Sequence, residues 1–205
     1  MYRIHRPDPG RRITNVAEWR EYTDQWWKII RHFGLLTDTT ADQAKILSIQ
    51  EGSIILEISA VYVLVKAIGL AADKILNVIE RLYELRRTSR EITRLDLTNK
   101  QIEKDLQKEA DTFIESNLGQ ITQQVIAEIN KSKAREGEVK SSLQISIKDL
   151  FDFLDRGGTV DCRLELTEGE SGAPKELQAI FGQIRALETR VEELKLLTDG
   201  KDKPH

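Results

Sequence analysis

The residues best placed for chemistry are three aspartates around a pair of glycines. Asp152, Asp155 and Asp161 bracket the dipeptide Gly157–Gly158, and a carboxylate cluster is one arrangement that performs general acid–base chemistry. Solvated carboxylates are, however, common at helix–strand turns, and the stretch "DRGGT" lacks the lysine and the further glycines of a phosphate-binding loop. We therefore expect no catalytic residue here and expect the two glycines to end a helix.

The remaining reactive side chains are few and scattered. The histidines are His5, His32 and His205; only His32 lies in a predicted helix, and it has no acidic partner at the spacing of metal ligands. Cys162 is the single cysteine, which excludes an intrachain disulfide and fits a reducing cytoplasm. The sequence has no GxSxG or Walker motif. We accordingly predict no metal site, no cofactor and no enzymatic activity.

Composition narrows the class of protein further. The chain has 205 residues, a net charge of −3 and only four prolines, which is typical of a helix-rich protein with one main core. The chain has no net positive charge that would favour binding to nucleic acid, and the sequence contains no nucleic-acid recognition motif. Residues 1–13 carry four arginines and no apolar signal-peptide region, so we expect a flexible basic arm in a cytoplasmic protein.

An aromatic helix follows this arm. Trp19, Trp26, Ile30 and Phe33 recur at helical spacing, which predicts an amphipathic helix whose aromatic face is buried. Trp27 lies off this stripe and is therefore a candidate interaction residue.

Two segments read as strands. "AKILSIQEGSIILEIS" resembles a hairpin, and "TVDCRLELT" alternates apolar and polar residues strictly. Together they predict a small antiparallel-type three-stranded sheet made of the hairpin plus one distant strand. The expected fold class is thus α+β, predominantly helical, with long bent helices and a C-terminal coiled-coil-like helix.

The segments between and after these strands are helical in pattern. Residues 59–131 form a long helical segment of a domain spanning 14–167, with a break expected near 88–99 because the apolar seam loses phase there. A linker at 168–175 precedes a heptad helix at 176–197 and a tail at 198–205. The candidate interaction residues on that helix are Leu177, Ile180, Ile184, Leu187, Val191 and Leu194. They can pair with a second copy or pack on the chain's own long helix.

The most apolar stretch, residues 54–79, raises the alternative of a membrane partner. Arginines follow it, as on the cytoplasmic side of a membrane helix. Glu57 and Lys66 interrupt it, however, and its helical part is shorter than the roughly 20 residues that a bilayer requires. We expect a buried helix with Lys66 at its solvated edge and with Ile68, Ile75 and Val78 inward.

These patterns favour a non-enzymatic scaffold, adaptor or oligomerising subunit that acts through protein–protein association, with a homo-oligomer expected. The alternative is a membrane-active effector that releases residues 54–79 on activation. A third interpretation is an enzyme without a recognisable motif.

Overall fold

The computed structural model describes residues 2–5, 16–40, 44–50, 55–59, 61–95, 100–129, 136–162 and 173–199. These residues form five helices: α1 (Val16–Leu36), α2 (Tyr62–Leu95), α3 (Lys100–Ile129), α4 (Glu136–Asp155) and α5 (Ala173–Asp199). They also form four strands: β1 (Tyr2–His5), β2 (Lys45–Gln50), β3 (Ile55–Ser59) and β4 (Thr159–Cys162).

Helix α2 lies at the centre of the protein and packs against the other four helices. It runs parallel to α5, since Lys66 pairs with Glu176 near one end and Glu80 pairs with Arg190 further along. It runs antiparallel to α3, and Lys74 pairs with Glu128 across that contact. The buried side of α2 carries many small or branched side chains, which allow neighbouring helices to approach closely.

The apolar stretch found in the sequence is part of this buried helix. Ile68, Ile75 and Val78 are buried, and the side chain of Lys66 is 26% exposed in its ion pair with Glu176, so the predicted orientation of the helix is confirmed. Residues 51–54 and 60 lie outside the described part of the chain. Among the helices that are described, none combines the length and the apolar character needed to cross a membrane.

The predicted fold class is wrong. Among the side chains whose burial the structure describes, every buried hydrophobic residue except Val160 lies on one of the five helices. The body of the protein is therefore helical rather than α+β. The reason is that the apolar stripes of the five helices pack mainly on one another, and among the strands β4 adds Val160 to the core beside α5.

The predicted three-stranded sheet is wrong as well. The short strands are ordered β2-β3-β1-β4, with every pairing antiparallel. Strand β4 pairs with β1, where Ile4 lies opposite Val160, and not with the hairpin. Four residues of the expected basic arm supply this inserted strand, which alternation analysis missed because β1 is only four residues long. Leu164 and Leu166, predicted to extend β4, lie outside the described residues.

The ends of two helices show how local sequence sets their length. Helix α4 stops at Asp155, and Gly157 follows with a φ of 89°, as predicted for a left-handed glycine stop. Helix α1 continues past Gly34 to Leu36. Asp38 takes the left-handed position there, with a φ of 51°, and the Thr39 amide donates to the carbonyl of Gly34 over 2.9 Å.

The long helical segment predicted over 59–131 is divided. Helix α2 ends at Leu95 and α3 begins at Lys100, close to the expected break at 88–99. Residues 96–99 lie outside the described part of the chain, as do 163–172, which include most of the predicted linker, and 200–205 of the tail.

Candidate functional site

The candidate interaction residues on the heptad helix are inside the protein. Leu177, Ile180, Ile184, Leu187 and Val191 are buried. They belong to the face of α5 that packs against α2 and β4. Leu194, one turn further on, is half-buried. This apolar seam is therefore covered by the chain's own helices, the second of the two arrangements that its spacing allowed.

Small residues make this close packing possible. A Cβ placed on Gly69 of α2 would lie 3.1 Å from a methyl of Ile180 and 3.2 Å from the ring of Phe181. The absence of a side chain at Gly69 thus lets the two parallel helices approach each other closely beside Ile180 and Phe181. A second copy of the chain can reach these α5 residues only if the core opens.

Trp27, the other candidate interaction residue, is on the surface. Its side chain is 51% exposed, and the guanidinium carbon of Arg31 lies 5.1 Å from the centre of its ring. The neighbouring Trp26 has the opposite environment: it is buried and makes an edge-to-face contact with Phe153. An exposed tryptophan with a stacked arginine is the pair of residue types most enriched at the energetic centres of protein interfaces.

Trp27 belongs to a continuous exposed side of α1, here called the α1 outer face. Its members are separated by four, four, three, four and four residues, which places them on one side of a helix. The α1 outer face consists of Val16, Arg20, Asp24, Trp27, Arg31 and Leu35, all of them exposed. Val16 and Leu35 are, like Trp27, large hydrophobic residues in contact with solvent. The face therefore combines three apolar side chains with two arginines and one aspartate.

On another side of α1, His32 contacts Ser146 of α4. Among the described residues this is the only contact between the side chains of a histidine and a serine. The Ser146 hydroxyl and Nδ1 of His32 lie 2.8 Å apart across the α1–α4 interface, and Gln25 donates to the Asp149 carbonyl beside them. Burial is the main cause that lowers the pKa of His32, and Arg31 and Lys28 lower it further. Burial acts on the nearby Asp149 carboxyl in the opposite direction and raises its pKa, because burial disfavours the charged form of either group.

This histidine–serine pair is better suited to joining two helices than to nucleophilic catalysis. Ser146 has no exposed surface, so a substrate has no approach to its hydroxyl in this conformation. The same hydroxyl also lies 3.4 Å from the Lys28 carbonyl. Sequence analysis missed the pair because the two residues are 114 positions apart and neither lies in a motif.

The aspartates around Gly157–Gly158 do not form a described cluster. Lys195 donates to the backbone carbonyl of Asp155 over 2.5 Å, while Oδ1 of Asp155 is buried and has no hydrogen-bond partner among the described residues. The side chain of Asp161 lies outside what the structure describes. In the described residues, no group of three or more histidines, cysteines, aspartates or glutamates is arranged to hold a metal ion.

An open groove of about 720 Å³ lies between α3 and α4. The groove is lined by Asp111, Ile114, Glu115, Leu118, Gln144 and Lys148. Its side chains carry charges of both signs on an apolar floor, a mixture that identifies no class of ligand.

No protein-family model matches this chain, and neither the curated proteins nor the solved structures include one that is significantly similar to it. Among the described surfaces, the α1 outer face is the one that exposes a tryptophan together with two further large hydrophobic residues on one side of a helix.

Proposed function

We propose that this protein is a non-enzymatic oligomerising subunit that associates through the α1 outer face. The observation that carries the proposal is the exposure of Trp27 together with its stacked Arg31. Leaving a large aromatic side chain in water forgoes the free energy that its burial releases, about 1.5–3 kcal/mol for a large apolar side chain. Because Trp27 is 51% exposed, a partner that covers it would recover about half of this free energy.

Two further apolar residues support the same surface. Val16 is 83% exposed and Leu35 is 40% exposed, and they lie at the two ends of the α1 outer face. Single exposed hydrophobic residues are ordinary on protein surfaces, whereas several on one side of a helix are typical of a docking face. The heptad seam of α5 is a poorer candidate for an interface because five of its six residues are buried within the chain.

The experiment is sedimentation velocity over a wide range of protein concentration. The wild-type protein is expected to exceed its monomer mass of 23.5 kDa as concentration rises. Trp27→Ala is expected to remain a monomer with an unchanged helical circular-dichroism spectrum. The matched control is Ile145→Ala on α4, which removes another exposed hydrophobic residue and should associate like the wild type. A wild-type protein that stays monomeric throughout would contradict the proposal.

The alternative function, release of residues 54–79 into a membrane, receives less support. In the described part of this segment Ala67, Ala71, Ile75 and Ile79 have no exposed surface, and release would separate them from neighbouring helices. Dye-filled vesicles containing anionic lipid distinguish the two functions. Dye release by the wild-type protein, without self-association, would favour the membrane function over the oligomeric one.

A further inference from the structure

We infer that the occupant of the α1 outer face is α5 of a second copy, docked antiparallel to α1. This inference rests on the proposed function and names the partner surface. It depends on the outward side of α5, which points away from α2. The α5 outer face is defined here by Gly182, Ala186, Thr189, Glu193 and Leu197, all of them exposed.

The two faces have the same spacing when one helix is reversed. From Val16 the α1 outer face advances by four, four, three and four residues to Arg31. From Leu197 the α5 outer face runs backward by four, four, three and four residues to Gly182. Because an α-helix rises 1.5 Å per residue, both rows extend over about 22 Å and stay in step along their length. Antiparallel docking therefore brings five of the six members of the α1 outer face, from Val16 to Arg31, opposite the five members of the α5 outer face, and Leu35 lies beyond the last of these pairs.

The size of the side chains is complementary in this alignment. Trp27 falls opposite Ala186, and Arg31 falls opposite Gly182. A Cβ added to Gly182 would have no atom within 4 Å, so the surface at that point is open. The bulkiest part of the α1 outer face thus meets the flattest part of the α5 outer face, which permits close contact between the helices.

Charge and hydrophobicity agree with the same alignment. Arg20 falls opposite Glu193, and Val16 falls opposite Leu197, whose side chain is 63% exposed. Among the described residues, the guanidinium of Arg20 has only a long, exposed contact of 3.8 Å with Asp24, and such pairs exchange easily with other partners because they contribute little energy. The apolar residue at one end of each face would cover the other.

The two faces belong to different parts of the fold. Helix α1 packs on α4 and α2, whereas α5 packs on α2 and β4. The contact would therefore join unlike surfaces of two copies, so that one copy supplies α1 and the other supplies α5. This asymmetry makes the inference testable by mixing variants.

The first test mixes two variants that are each defective on one face. Trp27→Ala impairs the α1 outer face and leaves α5 intact. Ala186→Gln impairs the α5 outer face by placing a long, uncharged polar side chain against Trp27 where the wild type has only a methyl, and glutamine is well tolerated in an exposed helix. Each variant alone should be monomeric, with a dissociation constant raised roughly tenfold or more. The mixture should form a dimer, because an intact α1 and an intact α5 are then present on different chains.

The second test reverses the charged pair. Arg20→Glu and Glu193→Arg should each weaken self-association, since each places like charges opposite one another. The double variant should recover most of the wild-type affinity at low salt. Thr112→Arg on the exposed surface of α3 is the matched control for an added positive charge and should leave association unchanged.

The possible results separate this inference from the proposed function. Association that depends on Trp27, combined with a mixture that stays monomeric and a double variant that is not rescued, would overturn the α5 partner and leave the oligomeric function standing. A monomeric wild-type protein would overturn both. Mixed dimers together with charge rescue would support the antiparallel α1–α5 contact.

Discussion

His32 and Ser146 share a 2.8 Å contact that joins α1 to α4. It is a polar link beside the buried aromatic face of α1, and it holds the helix whose opposite side carries Trp27. The imidazole is most stable there in its neutral form, because burial and the cations Arg31 and Lys28 lower its pKa, while Asp149 and a backbone hydrogen bond with Ser142 act in the opposite direction.

The first prediction concerns the dependence of stability on pH. A histidine whose pKa is lower in the folded than in the unfolded state binds protons more readily when unfolded. Its contribution to the free energy of unfolding is therefore complete above the unfolded pKa of about 6.5 and is lost as pH falls through the folded pKa. We expect thermal stability to fall between pH 7.5 and 5.5 more steeply in the wild type than in His32→Gln.

The comparison of the two proteins isolates His32 and its coupling to Asp149 from other groups. Burial raises the pKa of Asp149, so its contribution is complete below the unfolded pKa and is lost as pH rises, which is the opposite direction. Asp149 is present in both proteins, but charged His32 lowers the pKa of Asp149, so His32→Gln removes this coupling together with the titration of His32. Equal pH slopes in the two melting series would show that His32 does not titrate differently on folding.

The second prediction concerns the apolar seam of α5. Ile184 has no exposed surface and Leu187 is buried, so changing both to serine should unfold the protein rather than dissociate an assembly. Removing one such side chain costs about 2–5 kcal/mol, a large part of the total stability of most proteins. Urea denaturation followed by circular dichroism measures the loss. Leu85→Ser, at an exposed position on α2, should change stability little; a folded double variant would contradict internal packing of the seam.

The third prediction concerns the end of α4. Gly157→Ala should lower the free energy of unfolding by about 1 kcal/mol, because alanine is strained at a φ of 89°. Gly119→Ala makes the same chemical change inside α3, where an added Cβ has no neighbour within 4 Å. The free energy of unfolding of Gly119→Ala should therefore be higher than that of the wild type by about 0.5–1 kcal/mol. Similar effects of both substitutions would rule out the left-handed turn as their cause.

The fourth prediction separates the edge of α2 from its buried side. Lys66→Ala removes a partly exposed ion pair with Glu176. The free energy of unfolding should fall by no more than about 1 kcal/mol. Ile68→Glu places a carboxylate two positions away in the core and should abolish soluble expression, since burying an unpaired charge costs several kcal/mol. Expression yield and chemical denaturation measure the two effects. A soluble, stable Ile68→Glu protein would show that this face of α2 is accessible.

The helices could be predicted well because their signals are local. The spacing of Trp26 and Phe33 identified the buried face of α1, and Gly157 marked the end of α4. The buried side of α2 also followed from its periodicity. The His32–Ser146 contact and the place of β1 could not be predicted, because neither has a sequence pattern of its own. The contact joins residues 114 positions apart, and β1 pairs with residues more than 50 positions away in β3 and more than 150 positions away in β4.

The amino-acid sequence by itself determined where the chain is helical and which side of each helix is apolar, since side-chain spacing decides both. Only the tertiary structure decided what covers each apolar side. The spacing of the α5 seam, from Leu177 to Val191, would suit packing against either a second copy or α2. In the structure α2 covers the seam, because Gly69 lets α2 approach α5 closely. Trp27 lies one residue from the buried Trp26, yet a rotation of 100° per residue leaves it in solvent. Periodicity specifies the face of a helix, whereas only the assembled packing determines whether a neighbour is present to bury it.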